Sequence, residues 1–359
     1  MSGLRPGEVS VKKMVGGFVA GALIAVVAVA GLAAQGAPAA AQGGGRGPAR
    51  PEFPTAPQFA ASKKAQEHIA VATRIGGRDL AAEVKHFCTA TGPQRPALAA
   101  QQAGQKPEPD RLLEPIKVFD NLWFIGYSDV GAWVINTSDG IILFDTLNNV
   151  DEARDVLIPA IKKIGLNPDR IKHVIIGHAH GDHTGGGPYI QEAYAPQMYM
   201  GAPDWDTYVR QARPDRPSMK RGLNATDGQK ITLGDTTVTI ALTPGHTPGT
   251  LAVLVPVKHQ GRTTTALIMS GTQMPTDDSV AAFTHVFDDL AKPLGAETML
   301  GGHPDILVNK LPTLEAMGTQ YPTGAHPFLM GQERFNRYMA IMLECGRARN
   351  AALLDARAQ

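Results

Sequence analysis

The chain has 359 residues, 43% hydrophobic and 19% charged, enough to bury a core in one large domain or two small ones. A formal net charge of +1 and an aromatic content of 6% argue against nucleic acid as a partner. Two cysteines rule out a disulfide framework and a four-cysteine zinc site, while 39 glycines and 27 prolines point to a loop-rich fold.

Lys12 and Lys13 precede an apolar stretch from Met14 to about Ala34, followed by Ala37-Pro38-Ala39-Ala40-Ala41. Basic start, apolar centre and small-residue exit are the order of a secretory signal. The sequence therefore predicts a signal peptide over 1–41, cleaved after Ala41, and a periplasmic or secreted protein with no membrane partner after cleavage. The same stretch is long enough to serve instead as a retained anchor. In an oxidising compartment Cys88 and Cys345 become candidates for a bridge. Spacing alone leaves paired and unpaired states open.

Residues 42–115 read as a flexible tether and an N-terminal helical extension. The part at 42–57 is rich in Gly, Pro and Ala; 58–74 and 78–88 have helical composition; 92–110, with four prolines and four glutamines, reads as a linker. The regular fold is expected over 116–359. Short apolar strands are predicted at 116–119, 122–126, 132–136 and 141–145, with Asp139-Gly140 turning the last pair. A helix over 151–164 and a buried strand over 171–177 follow. Helices are then expected at 187–194 and 203–212, and strands at 230–233, 236–242, 251–257 and 264–270. The remaining helices fall at 278–291, 304–317 and 331–355. In the last one Phe335, Met339, Met342 and Leu343 share a face, which reads as packing.

The 171–177 strand ends in His178-Ala179-His180-Gly181-Asp182-His183. Imidazole and carboxylate side chains delivered from a strand end suit a borderline metal such as zinc. Four such groups in six residues serve two ions more naturally than one, because neighbouring side chains diverge. Gly181 is expected to turn the chain sharply, and Gly185 to Gly187 to let the turn approach the metals. Further ligands are expected from His246, held between Pro-Gly and Thr-Pro-Gly, and from His303, which follows Gly301-Gly302. Three protein ligands per metal leave positions for water and substrate, the mark of a catalytic site.

The His178-x-His180-x-Asp182-His183 motif, the Thr-Pro-Gly-His246-Thr block and the late His303 resemble the metallo-β-lactamase superfamily, in order over about 116–320. The resemblance implies an αββα sandwich with two Zn2+ at one edge. His178, His180 and His246 would hold one, and Asp182, His183 and His303 the other. It also implies a metal-bridging hydroxide as nucleophile, with Asp182 both a ligand and the catalytic residue that orients it. Asp145 resembles the aspartate that supports the site from behind.

Thioesterases of the superfamily carry a bridging Asp after the fourth strand of the second sheet, and some lactamases a Cys. Here that stretch is Ser270-Gly271-Thr272-Gln273. It resembles the third, all-histidine subclass of metallo-β-lactamases. The expectation is an exported dizinc hydrolase of the β-lactam amide bond acting on a small molecule. The alternatives are a lactone, ester or thioester hydrolase, and an iron-dependent oxidoreductase on the same fold. Ser270 and Thr272 are the candidates for substrate contacts, with Tyr127 overhanging the site. Oligomeric state is left open.

Overall fold

The computed structural model describes residues 52–358; the predicted signal segment and the first part of the tether lie outside them. Among the described residues twelve strands form two sheets. The first holds β1 (Ile116–Phe119), β2 (Leu122–Gly126), β3 (Gly131–Thr137), β4 (Gly140–Phe144), β5 (Ile171–Ile175), β6 (Gln197–Gly201) and β7 (Leu223–Ala225) in sequential order. The second holds β8 (Lys230–Leu233), β9 (Thr236–Leu242), β10 (Leu251–His259), β11 (Arg262–Met269) and β12 (Ala296–Gly301), ordered β12-β11-β10-β9-β8. Pairs from β1 to β4 and from β8 to β11 are antiparallel; β4-β5, β5-β6, β6-β7 and β11-β12 are parallel.

The strand sequences dictate the layering. Along β10, Leu251, Val253, Val255 and Val257 enter one apolar cluster, while Ala252 and Leu254 enter another. A strand covered on both faces reads as a continuous apolar run. The central cluster joins Phe124, Trp133, Ile142 and Phe144 of the first sheet to Val238, Ile240, Val253 and Ile268 of the second. Outside the first sheet, Leu143, Val174 and Ile176 pack with Leu157, Ile161 and Trp205 of the flanking helices. Outside the second, Leu254, Leu267 and Met299 meet Phe283, Phe335, Met339 and Met342. The result is an αββα sandwich.

Several boundaries differ from those expected. The helix over 151–164 is interrupted by a π-helical stretch at Ala153–Leu157 before Ile158–Lys163. Pro159 has no N–H to return to the carbonyl four residues back, and the wider turn accommodates that gap. The helix expected from 304 begins at Lys310, after Asn309 at φ 56°. Strands β6 and β7 were not anticipated, and the apolar run before His303 is strand β12. The proline-rich 92–110 segment contains a helix, Pro96–Gln102, with proline in its first turn, where a missing N–H costs nothing.

The N-terminal extension is docked on the domain. Helix Lys63–Gly76 packs beside the C-terminal helix Gln332–Arg357, with Phe59 and Ala65 against Ala348 and Ala352. Arg337 grips Asp79 with two hydrogen bonds, of 2.8 and 3.0 Å. Cys88 is disulfide-bonded to Cys345, 257 residues away. Cys345 is fully buried on the C-terminal helix. Reducing the bridge, or replacing both cysteines by serine, is expected to lower unfolding stability by roughly 2–5 kcal/mol. Denaturant titrations with and without reductant would measure it, and coincident curves would show the bridge to be energetically idle.

Candidate metal centre

The functional side chains lie where strands end. Asp145 follows β4, His178 follows β5, Ser270 follows β11 and His303 follows β12, while His246 sits in the β9–β10 loop. Asp182 and His183 lie on a single helical turn, Gly181–Thr184. A Cβ on Gly181 would meet open space, so this turn does not require glycine. Glycine is required next, at Gly185 and Gly186, where a Cβ would lie 2.0 and 2.1 Å from the backbone oxygens of Asn148 and Thr146. The close approach is therefore to the loop after β4, and not to the metal centre as expected.

The ligand atoms converge as two sets. In the first, His180 Nδ1 is 3.0 Å from His178 Nε2 and 3.0 Å from His246 Nε2. In the second, His183 Nε2 is 3.1 Å from His303 Nε2, and Asp182 oxygens lie 3.9 and 3.5 Å from these two nitrogens. His178 also comes within 4.8 Å of Asp182 and His183, so it stands between the sets. We assign it to the first because its Nε2 faces His180 at 3.0 Å.

The outer nitrogens reveal what the inner ones carry. His183 Nδ1–H donates to Asp145 Oδ2 at 2.7 Å, and His303 Nδ1–H donates to the Asp129 carbonyl at 2.7 Å. His178 Nδ1 meets Ser270 Oγ at 2.8 Å. With Nδ1 donating, the Nε2 atoms of His183 and His303 are bare lone pairs facing each other. Burial holds His303 down to about 3 and His246 down to about 4, and it drives His178 well below the ordinary imidazole range. Burial also opposes a charge on His183, but the Asp145 carboxylate outweighs it and raises this imidazole. Imidazole nitrogens gathered at 3 Å, with His178, His246 and His303 kept neutral by burial, form a donor set for a cation, so the residues fit a metal.

Two buried carboxylates brace the ligands. Asp145, at φ 69°, accepts from Gly177 N–H at 2.7 Å as well as from His183. This left-handed conformation is uncommon outside glycine, and aspartate tolerates it better than most residues. Asp204, 1% exposed in helix Ala202–Gln211, was not anticipated. It accepts from Ala179 N–H at 2.7 Å, Thr247 Oγ1–H at 2.7 Å and Gly249 N–H at 2.8 Å. One side chain thus ties the His178–His180 segment to the His246 loop. Nothing local in the sequence distinguishes it from an ordinary acidic residue in a first helical turn.

A cavity of about 270 Å³ opens onto the centre, lined by His180, Asp182, His246, His303, Ser270 and Thr272 among others. Ser270 is placed primarily behind His178, through its hydroxyl. Tyr127 is not among the cavity-lining residues; its backbone bridges to Leu112, and Glu152 and Asp129 are the charges near its hydroxyl. Residues of the N-terminal extension, Phe53, Pro93, Arg95 and Leu98, form one wall. His285 bonds Asp227 and Asp289 and is not among the cavity-lining residues.

A family model described as the metallo-beta-lactamase superfamily matches residues 127–259, which carry five of the six candidate ligand residues. Over residues 127–259 the chain matches the metallo-β-lactamase superfamily, and it has that superfamily's fold. Among solved structures, a subclass B3 metallo-β-lactamase of Bradyrhizobium japonicum is 26% identical, with a TM-score of 0.53, over 64% of this chain and 91% of that one. The FEZ-1 metallo-β-lactamase of Legionella gormanii, 19% identical with a TM-score of 0.54, shares the fold over 70% and 98% of the two chains. Curated relatives include an N-acyl homoserine lactonase of Azorhizobium caulinodans, 32% identical over 47% of this chain and 64% of that one. Another, from Rhizobium radiobacter, is 36% identical over 27% and 41%. The chain thus spans between 41 and 64% of the length of these lactonases.

Proposed function

We propose that this superfamily hydrolase is an exported dizinc enzyme that opens the β-lactam amide bond of a small molecule. The observation that carries the reading is the second ligand set, Asp182, His183 and His303, with no carboxylate delivered by the loop after β11. That loop offers Ser270, engaged by His178, and Thr272 at the cavity wall. The two sets would hold zinc ions, which when bound supply a nucleophilic hydroxide near neutral pH and polarise the carbonyl.

The chain's own residues do the rest. Asp145, Ser270 and the Asp129 carbonyl fix the imidazoles from behind. Asp182, 3.5 Å from His303, presents its carboxylate to the reacting face, where it would orient the attacking hydroxide. The Cys88–Cys345 bridge and the basic-apolar-small N-terminal pattern support export. A second reading, lactone hydrolysis, draws on the N-acyl homoserine lactonases among the relatives.

The test is a panel of β-lactams, lactones and thioesters on the zinc-loaded protein, with metal analysis and oxygen uptake alongside. Lactam opening with two zincs per chain is expected. Turnover of lactones alone would favour the second reading, and iron with oxygen consumption would overturn both. Thr272→Asp should hold metal more tightly and lose lactam turnover, because an added anion makes the second metal less able to meet a departing nitrogen. Undiminished lactam turnover by that variant would remove the chemical basis for preferring a lactam.

A further inference from the structure

Among the described residues lining the cavity, Arg95 is the one lysine or arginine. It comes from the N-terminal extension, outside the region the family model matches. Its Nη2 bonds Asp129 Oδ2, and its Nη1 lies 3.6 Å from Asp182 Oδ2, beyond hydrogen-bond reach. Its Nε is buried with no hydrogen-bond partner. A guanidinium carries five N–H donors in a rigid fork matched to carboxylate, so donors are left over beside the reacting face.

We propose that Arg95 is the specificity-determining residue of this site and recognises a carboxylate on the substrate. The inference rests on the reading that the site opens a cyclic amide or ester. The hydroxyls of the loop after β11 are poor rivals for the task. Ser270 is engaged with His178, and Thr272 offers one neutral donor.

Arg95 is also held in register with the metal ligands. Asp129 grips it through the side chain and grips His303 through its carbonyl, so one residue spaces the cation from the centre. Upstream, the chain is pinned by the Cys88–Cys345 bridge and by Arg349, whose Nη1 donates to the Phe87 carbonyl at 2.7 Å. Leu98 and Phe53 on this side, with Ile306 and Leu307 opposite, add an apolar wall. The substrate class that fits is an anion with a carboxylate near the scissile carbonyl and an apolar substituent.

The experiment compares a carboxylate-bearing β-lactam with its methyl ester, in wild type, Arg95→Gln and Arg95→Lys. A matched lactone pair, with and without a carboxylate, is run in parallel. Wild type should prefer the acid through KM. Arg95→Gln should raise KM for the acid roughly 10–100-fold, the scale of one charge-assisted contact, with kcat within a few-fold. The ester's KM should not move, and Arg95→Lys should recover part of the loss.

Calorimetry with the ring-opened acid should show at least ~10-fold weaker binding to Arg95→Gln, while metal content stays unchanged. Equal losses for acid and ester in the variants would overturn the proposal, and so would the lack of an acid preference in wild type, which involves no variant. If wild type opens lactones and no lactam, the lactam reading fails, and the role of Arg95 is decided on the lactone pair.

Discussion

Asp182→Ala is expected to lower kcat at least ~100-fold while changing KM little. The carboxylate is three-quarters out of solvent by side chain and faces His183, His303 and Arg95 together. Burial works to raise its carboxyl group, but the imidazoles of His183 and His303 outweigh this and hold it below the ordinary carboxylate range. It is therefore an anion at neutral pH, placed to bind a cation. Alanine leaves the second set with two imidazoles and nothing to orient the attacking hydroxide. Both losses act on the transition state, so kcat should fall rather than affinity. Asp182→Asn, which keeps the volume and removes the charge, should fall by a similar factor. On the proposed dizinc reading, metal content should drop from two toward one per chain. A near-normal kcat with a raised KM would contradict the role.

What the sequence made legible follows the range of the interactions. The cluster at 178–183 is local, and the apolar runs that form β4, β5 and β10 are equally local. Their periodicity shows burial without any knowledge of neighbours. The layer order follows from these runs, because strands covered on both faces need helices outside. The proline-bearing helix at Pro96–Gln102 was misread because proline punctuates a sequence in two senses, breaking a helix interior or opening a helix. The short strand β7 carries two exposed residues out of three and shows no apolar signal. Gly181 drew an argument from proximity to ligands that its open surroundings do not support. Arg95 and Asp204 were illegible for a common reason: each acts on groups far away in the chain. Arg95 reaches residues 34 and 87 positions on, and such pairings exist only once the fold has closed.

Asp204→Asn should cost roughly 10–100-fold in metal affinity at the first set, the scale measured when an outer carboxylate supporting a metal ligand is removed. The geometry explains why so conservative a change should matter. The carboxylate accepts three hydrogen bonds at once: Oδ2 from Ala179 N–H and Thr247 Oγ1–H, and Oδ1 from Gly249 N–H. An asparagine can place only one oxygen there. Its NH2 group must then face a donor, either the Gly249 N–H or the Ala179 and Thr247 pair. Each buried donor left without a partner costs about 1–3 kcal/mol. Ala179 lies between His178 and His180, and Thr247 follows His246. The disturbance therefore moves the two halves of the first set relative to each other, while Asp182, His183 and His303 keep their own supports. If two zincs bind as proposed, chelator competition should show one weakened and the other unchanged. Asp204→Ala should weaken the same zinc and also lower the melting temperature of the metal-free protein, because all three donors lose their acceptor. Equal weakening of both zincs would mean that Asp204 supports the fold at large, and unchanged affinity with a lowered melting temperature would make it a brace for the loops without influence on the ligands.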